Sequence, residues 1–126
     1  MTLVLDASKV FGELLTRPLS AFWTIDNGTG CAIVKVDMGP TSWHYCGYIA
    51  IPKARANRIG FCDGYLDLDV DDTGGITLTK MVDGWCLAGF DCAHAFQYGE
   101  PRFRDLNYVR QLVNAMADEA LRKGVV

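Results

Sequence analysis

The sequence predicts an α+β domain: an antiparallel sheet of about five to six strands with a C-terminal amphipathic helix packed on one face. Three observations carry this expectation. Asp83-Gly84 is a two-residue turn signal between β-prone runs at 76–82 and 85–91. Asn27-Gly28 is a second hairpin signal, between 20–26 and 30–38. Near the C-terminus, Leu106, Val109, Val113, Met116, Ala117, Ala120 and Leu121 recur at helical spacing.

Taken in order, residues 1–18 can form a short N-terminal helix. Asp6 or Ser8 would cap it, Val10, Phe11, Leu14 and Leu15 would form its apolar side, and Pro18 would end it. The strands 20–26 and 30–38 follow, joined by Asn27-Gly28-Thr29. Gly39-Pro40 breaks the chain before a third strand, 42–51, which stops at Pro52. Residues 53–64 carry Lys53, Arg55 and Arg58 with little periodicity and read as a loop. In 65–70, Tyr65, Asp67 and Asp69 alternate with Leu66, Leu68 and Val70, the pattern of a half-exposed strand with an acidic outer side.

The Asp83-Gly84 turn also fixes a register. Val82 faces Trp85, Lys80 faces Leu87, Leu78 faces Gly89 and Ile76 faces Asp91. Ile76, Leu78, Val82, Trp85 and Leu87 then share one buried face, and Asp91 falls on it. Residues 95–103 read as a polar, aromatic loop. Asp105 is placed to cap the last helix, and Arg122, Lys123 and Gly124 suit its end.

The 126 residues fit a single domain, 1–126, and half of them are hydrophobic, which argues against disorder. A net charge of −3 argues against general nucleic-acid binding. Met1-Thr2-Leu3-Val4-Leu5 is followed at once by Asp6, so no signal peptide is expected, and no apolar run reaches membrane length. Five cysteines without a secretion signal read as free, buried thiols in a reducing cytoplasm. No cofactor is implied.

Four constellations could carry chemistry. Asp91 and His94 could form an acid–base pair with Cys46 or Cys92 as nucleophile; the alternative is a structural hydrogen bond. Arg104 could clamp the Asp91 carboxylate. His44-x-Cys46 and Cys92-x-His94 could present two thiols and two imidazoles to zinc, but the tight knuckles of such sites are missing and no metal is expected. Asp63, Asp67, Asp69, Asp71 and Asp72 could dock on a basic partner; as a calcium loop the run lacks its glycine and terminal glutamate. Trp43, Tyr45, Tyr48, Phe96, Tyr98 and Phe103, with Arg58, Arg102 or Arg104, have the composition of an interface or of a small β core.

Several segments resemble one family of small proteins from bacteriophage and prophage genomes. They are Cys46-Gly47-Tyr48-Ile49-Ala50-Ile51-Pro52, Gly74-Gly75-Ile76-Thr77, Gly89-Phe90-Asp91-Cys92-Ala93-His94-Ala95, Arg104-Asp105 and Tyr108-Val109. They span roughly 43–121 in the family's order. Thr73 stands where the family usually has a histidine, and Phe96-Gln97 where it tends to have Gly-Asp.

The resemblance, together with the acidic balance, implies an inhibitor of a bacterial defence complex, of the anti-CRISPR kind. It would act in the host cytoplasm by protein–protein binding. Asp67, Asp69, Asp71, Asp72, Phe96 and Tyr98 would meet a basic, nucleic-acid-handling surface, with no direct contact to nucleic acid or membrane. The alternative is a small hydrolase or transferase using Asp91, His94 and Cys46.

Overall fold

The computed structural model describes residues 19–25, 29–39, 42–59, 68, 73, 75–82, 84–92 and 100–123. Among these, five strands form one antiparallel sheet. They are β1 (Leu19–Thr24), β2 (Gly30–Asp37), β3 (Trp43–Pro52), β4 (Leu78–Val82) and β5 (Trp85–Asp91). Their spatial order is β1-β2-β3-β5-β4. A short helix α1 (Lys53–Ile59) follows β3, and a 3₁₀ turn (Pro101–Arg104) leads into α2 (Leu106–Lys123). The fold is thus the α+β arrangement that the turn signals and the helical stripe predict.

The β4–β5 hairpin has the register that its turn dictates: Val82 opposite Trp85, Lys80 opposite Leu87 and Leu78 opposite Gly89. Gly84 has φ +85°, the left-handed conformation such a turn requires. Trp85 and Leu87 are buried, as alternation predicts. Ile76 is the exception. β4 starts at Leu78, so the Ile76–Asp91 pair does not form, and Ile76 packs instead against the cluster under α2. Thr77 N–H donates to Gly89 O at 2.8 Å, the last bond before the chain leaves the ladder.

Asp105 caps α2 as expected: its Oδ1 accepts the Asn107 N–H at 2.9 Å. The buried stripe of the helix is Val109, Leu112, Val113, Met116, Ala117 and Ala120. It covers the sheet face carrying Ile33, Ile49, Ile51, Ala88 and Phe90. The face turned away from α2 is buried as well at Ala32, Val34, Ala50, Val82, Trp85 and Leu87.

Two expectations need correction. Residues 53–59 are helical rather than a loop. Ala56 and Ile59, one turn apart, are buried, and the Lys53 N–H donates to Gly84 O at 2.9 Å, tying α1 to the tip of the hairpin. Leu68, the one described residue of 65–70, is outside any strand and buried in the cluster under α2. The N-terminal helix expected over 1–18 lies outside the described residues, as does Asn27-Gly28.

Where β3 meets β5, two glycines face two aromatic residues. Gly47 pairs with Phe90 on the α2 side, and Tyr48 pairs with Gly89 on the other. A Cβ on Gly47 would lie 2.6 Å from both Phe90 Cζ and Val113 Cγ2, and one on Gly89 would lie 2.5 Å from Tyr48 Cδ1. Each ring therefore occupies the space that its partner's missing side chain leaves. Gly47→Ala is expected to destabilise the fold by about 1–3 kcal/mol through overpacking. Thermal melting checks this; an unchanged midpoint would mean that α2 can move off the sheet without penalty.

Candidate functional site

The first half of β3 carries both candidate sites, one on each face of the sheet. On the face away from α2, Cys46 pairs directly with Asp91 at the end of β5. Cys46 is buried and Asp91 half-buried. His44 lies two residues before Cys46 on the same strand, hence on the same face, and is also half-buried. These three residues are brought together as alternation requires.

Cys92 is not part of that group. It follows the last residue of β5, its N–H donates to Tyr45 O at 2.9 Å, and it belongs to the cluster under α2. Cys46 and Cys92 thus serve opposite sides of the sheet. Among the described residues no group of three His, Cys, Asp or Glu side chains is placed to hold a metal ion.

Cys31, Cys46, Cys86 and Cys92 are buried and not in disulfides. Burial pushes the Cys31 thiol up to about 12, with Arg110 pulling it down and Asp118 raising it further. Burial alone takes Cys86 to about 11. Cys92 reaches about 12 through burial first, then through Cys46 and Asp91. A thiol held that high stays protonated at neutral pH and is a poor nucleophile.

On the α2 side, the same end of β3 presents Trp43 and Tyr45, with ring centroids 5.1 Å apart in an edge-on arrangement. Two cations sit over Trp43: Lys35 Nζ, 4.5 Å from the ring centroid, and Arg104 Cζ, 5.0 Å away. Arg104 therefore does not clamp Asp91, which lies across the sheet; it rests on Trp43 instead. On β1, Trp23 repeats the pattern. Its Nε1–H donates to Asn114 Oδ1 at 2.8 Å, and Arg110 lies 4.5 Å above its ring. Arg102 covers Phe103 at 4.9 Å and Tyr108 at 5.8 Å. Phe103 itself is core, 2% exposed.

Sequence reasoning missed Lys35, Arg110 and Trp23. One signal was available: alternation puts Lys35 on the same face as Cys31 and Ile33, an odd place for a cation unless it sits on a ring. Of the expected binding residues, Asp67, Asp69, Asp71, Asp72, Phe96 and Tyr98 lie outside the described residues, as do Asp63 and His94. No described helix is long and apolar enough to cross a membrane. The chain matches no protein-family model, no curated protein and no solved structure.

The raised thiols have a pH consequence. An unfolded cysteine loses its proton near about 8.5, whereas these three keep theirs well above it when folded. Their contribution to stability is therefore complete below that value. It is lost as pH rises toward the folded values of about 11 and about 12. Each thiol should add roughly 1.4 kcal/mol per pH unit to the alkaline loss in that window. Urea unfolding of wild type and Cys31→Ala at stepped alkaline pH should give a shallower slope for the variant; equal slopes would show that Cys31 ionises freely in the folded protein.

Proposed function

We propose that the protein is a phage-type inhibitor of a bacterial defence complex, of the anti-CRISPR class, acting by protein–protein binding in the host cytoplasm. Asp67, Asp69, Asp71 and Asp72 would supply an acidic surface for a basic, nucleic-acid-handling partner, with Phe96 and Tyr98 beside it. The observation that carries the binding part is the chemistry of the described residues. Cys31, Cys86 and Cys92 are held protonated in the core, while charged groups such as Lys35, Asp37 and Lys80 stand exposed on the sheet. The phage part draws on the ordered motifs from Cys46 to Val109.

Carboxylates facing a basic channel would speed encounter and select the partner, and added salt would weaken both effects. Tagged protein should capture a host complex from a lysate. Reversing Asp67→Lys and Asp69→Lys should slow association with that complex by about tenfold or more while leaving melting nearly unchanged. Equal association rates at low and high salt would remove the acidic surface from the binding mechanism.

The pairing of Cys46 with Asp91 supports a second reading, a hydrolase or transferase that also uses His94. Asp91→Asn separates the two. A binder should lose melting temperature yet keep its capture per folded molecule. Abolished activity at unchanged melting would favour the enzyme.

A further inference from the structure

We propose that residues 1–18 dock as an amphipathic helix on the sheet face turned away from α2, over the strand that carries Cys46. This does not depend on the inhibitor reading, and it concerns a surface internal to the chain.

That face is deeply buried along β2, β3 and β5. Ala32, Ala50 and Leu87 are fully enclosed in the single chain, and Val34 nearly so. An antiparallel sheet with one open face meets water across its middle as well as at its margins. Yet every described helix packs on the other side. Ala56 and Ile59 of α1, Phe103 of the 3₁₀ turn and the stripe of α2 all join one cluster with Ile33, Ile49 and Phe90. The cover therefore comes from this chain, and from outside its described residues. Burial fades toward both edges of the sheet, where Phe22 is 40% exposed and Lys80 is exposed. A single helix, about 10–12 Å across, gives that profile.

Two other stretches are anchored to the α2 side. Leu68, within 60–72, and Cys92 and Phe103, on either side of 93–99, belong to the cluster under α2. Residues 1–18 instead join the sheet at Leu19, whose partner Val34 lies on the buried face beside Cys46. In the sequence, Ala7, Val10, Phe11, Leu14 and Leu15 recur at the spacing of one helical stripe. Lys9, Glu13 and Arg17 alternate in sign at intervals of four, away from that stripe. Pro18 stops a helix before β1. As a helix these residues reach about 27 Å, whereas five strands span about 19 Å.

A second copy of the chain fits less well as the occupant, since the burial is already complete in one chain alone. The docking also gives Cys46 a distinct place among the described thiols. Cys46 lies on the covered face, with Asp91 opposite it, whereas Cys31, Cys86 and Cys92 lie in the cluster under α2. Lifting residues 1–18 would thus uncover Cys46 and spare the other three.

Labelling of the 126-residue chain with N-ethylmaleimide at neutral pH, mapped thiol by thiol by mass spectrometry, reads the docking. Wild-type Cys46 should react slowly. Phe11→Asp with Leu14→Asp sets charge against the apolar face. It should speed Cys46 labelling by about tenfold or more while Cys31, Cys86 and Cys92 stay protected, the pattern of local opening. Lys9→Gln with Glu13→Gln, away from the stripe, should label as wild type does. If the Asp variant unfolds and all four thiols react, wild type decides by NMR: NOEs from Phe11 and Leu14 to Leu87 and Tyr48 uphold the docking, and their absence overturns it. Unchanged Cys46 labelling in a folded Asp variant would overturn it as well. So would NOEs that place residues 93–99 on Leu87 instead, or Cys46 labelling in wild type that slows as protein concentration rises, the mark of a second copy on this face.

Discussion

The close approach of β3 and β5 to what lies above and below them governs the rest of the molecule. At their centre, a glycine on each strand faces an aromatic residue on the other, once per sheet face: Gly47 with Phe90, and Gly89 with Tyr48. On one face the vacancy admits both the Phe90 ring and Val113 of α2; on the other it admits the Tyr48 ring. The arrangement is also intolerant of slippage. A shift of one residue would move each ring from above a glycine to above a side chain and turn the alternating apolar sets inside out.

That lock also sets the register of the outer part of β3. One pair beyond Gly47–Phe90 comes Cys46–Asp91, and beyond that the strand continues to Tyr45, His44 and Trp43. Because neighbours on a strand point to opposite faces, a short stretch supplies two unlike surfaces. One carries a thiol, a carboxylate and an imidazole; the other carries Trp43 and Tyr45 edge-on, with cations over Trp43. Each exposed cation–ring contact contributes only about 0.5–1 kcal/mol. Their effect is to orient charge rather than to hold the fold together. The folding free energy comes instead from the α2 stripe on Ile33, Ile49, Ala88 and Phe90.

Much of this was legible in the chain, for identifiable reasons. Asp83-Gly84 specifies a turn whose geometry leaves little choice of partner, so the β4–β5 register follows from local sequence alone. The α2 stripe is long enough for its period to stand out, although Leu112 was overlooked within it. α1 was not legible. Its seven residues give fewer than two full repeats, and a helix that short forms because Ala56 and Ile59 find a surface to pack on rather than through propensity. Ile76 was misplaced because alternation was extended past the last ladder bond, where the chain is free to turn its side chains elsewhere. The pairing of Cys46 with Asp91 was out of reach, since it joins residues far apart in sequence. Arg104 went to Trp43 rather than Asp91 because the sheet itself separates the two.

The irregularity in β1 has a consequence for life in a crowded solution. Its pairing with β2 runs Leu19 to Val34 and then Ala21 to Ile33, so Ser20 is an extra residue in an edge strand. The outer margin of an edge strand carries backbone groups that a neighbouring chain could zip onto. An inserted residue spoils their even spacing and increases the local twist, so a flat foreign strand would find the margin out of step with its own. At the opposite margin, β4 presents exposed Lys80 in mid-strand, and a second molecule stacking there would meet charge against like charge. Both edges of the described sheet thus carry features that discourage sheet-to-sheet growth.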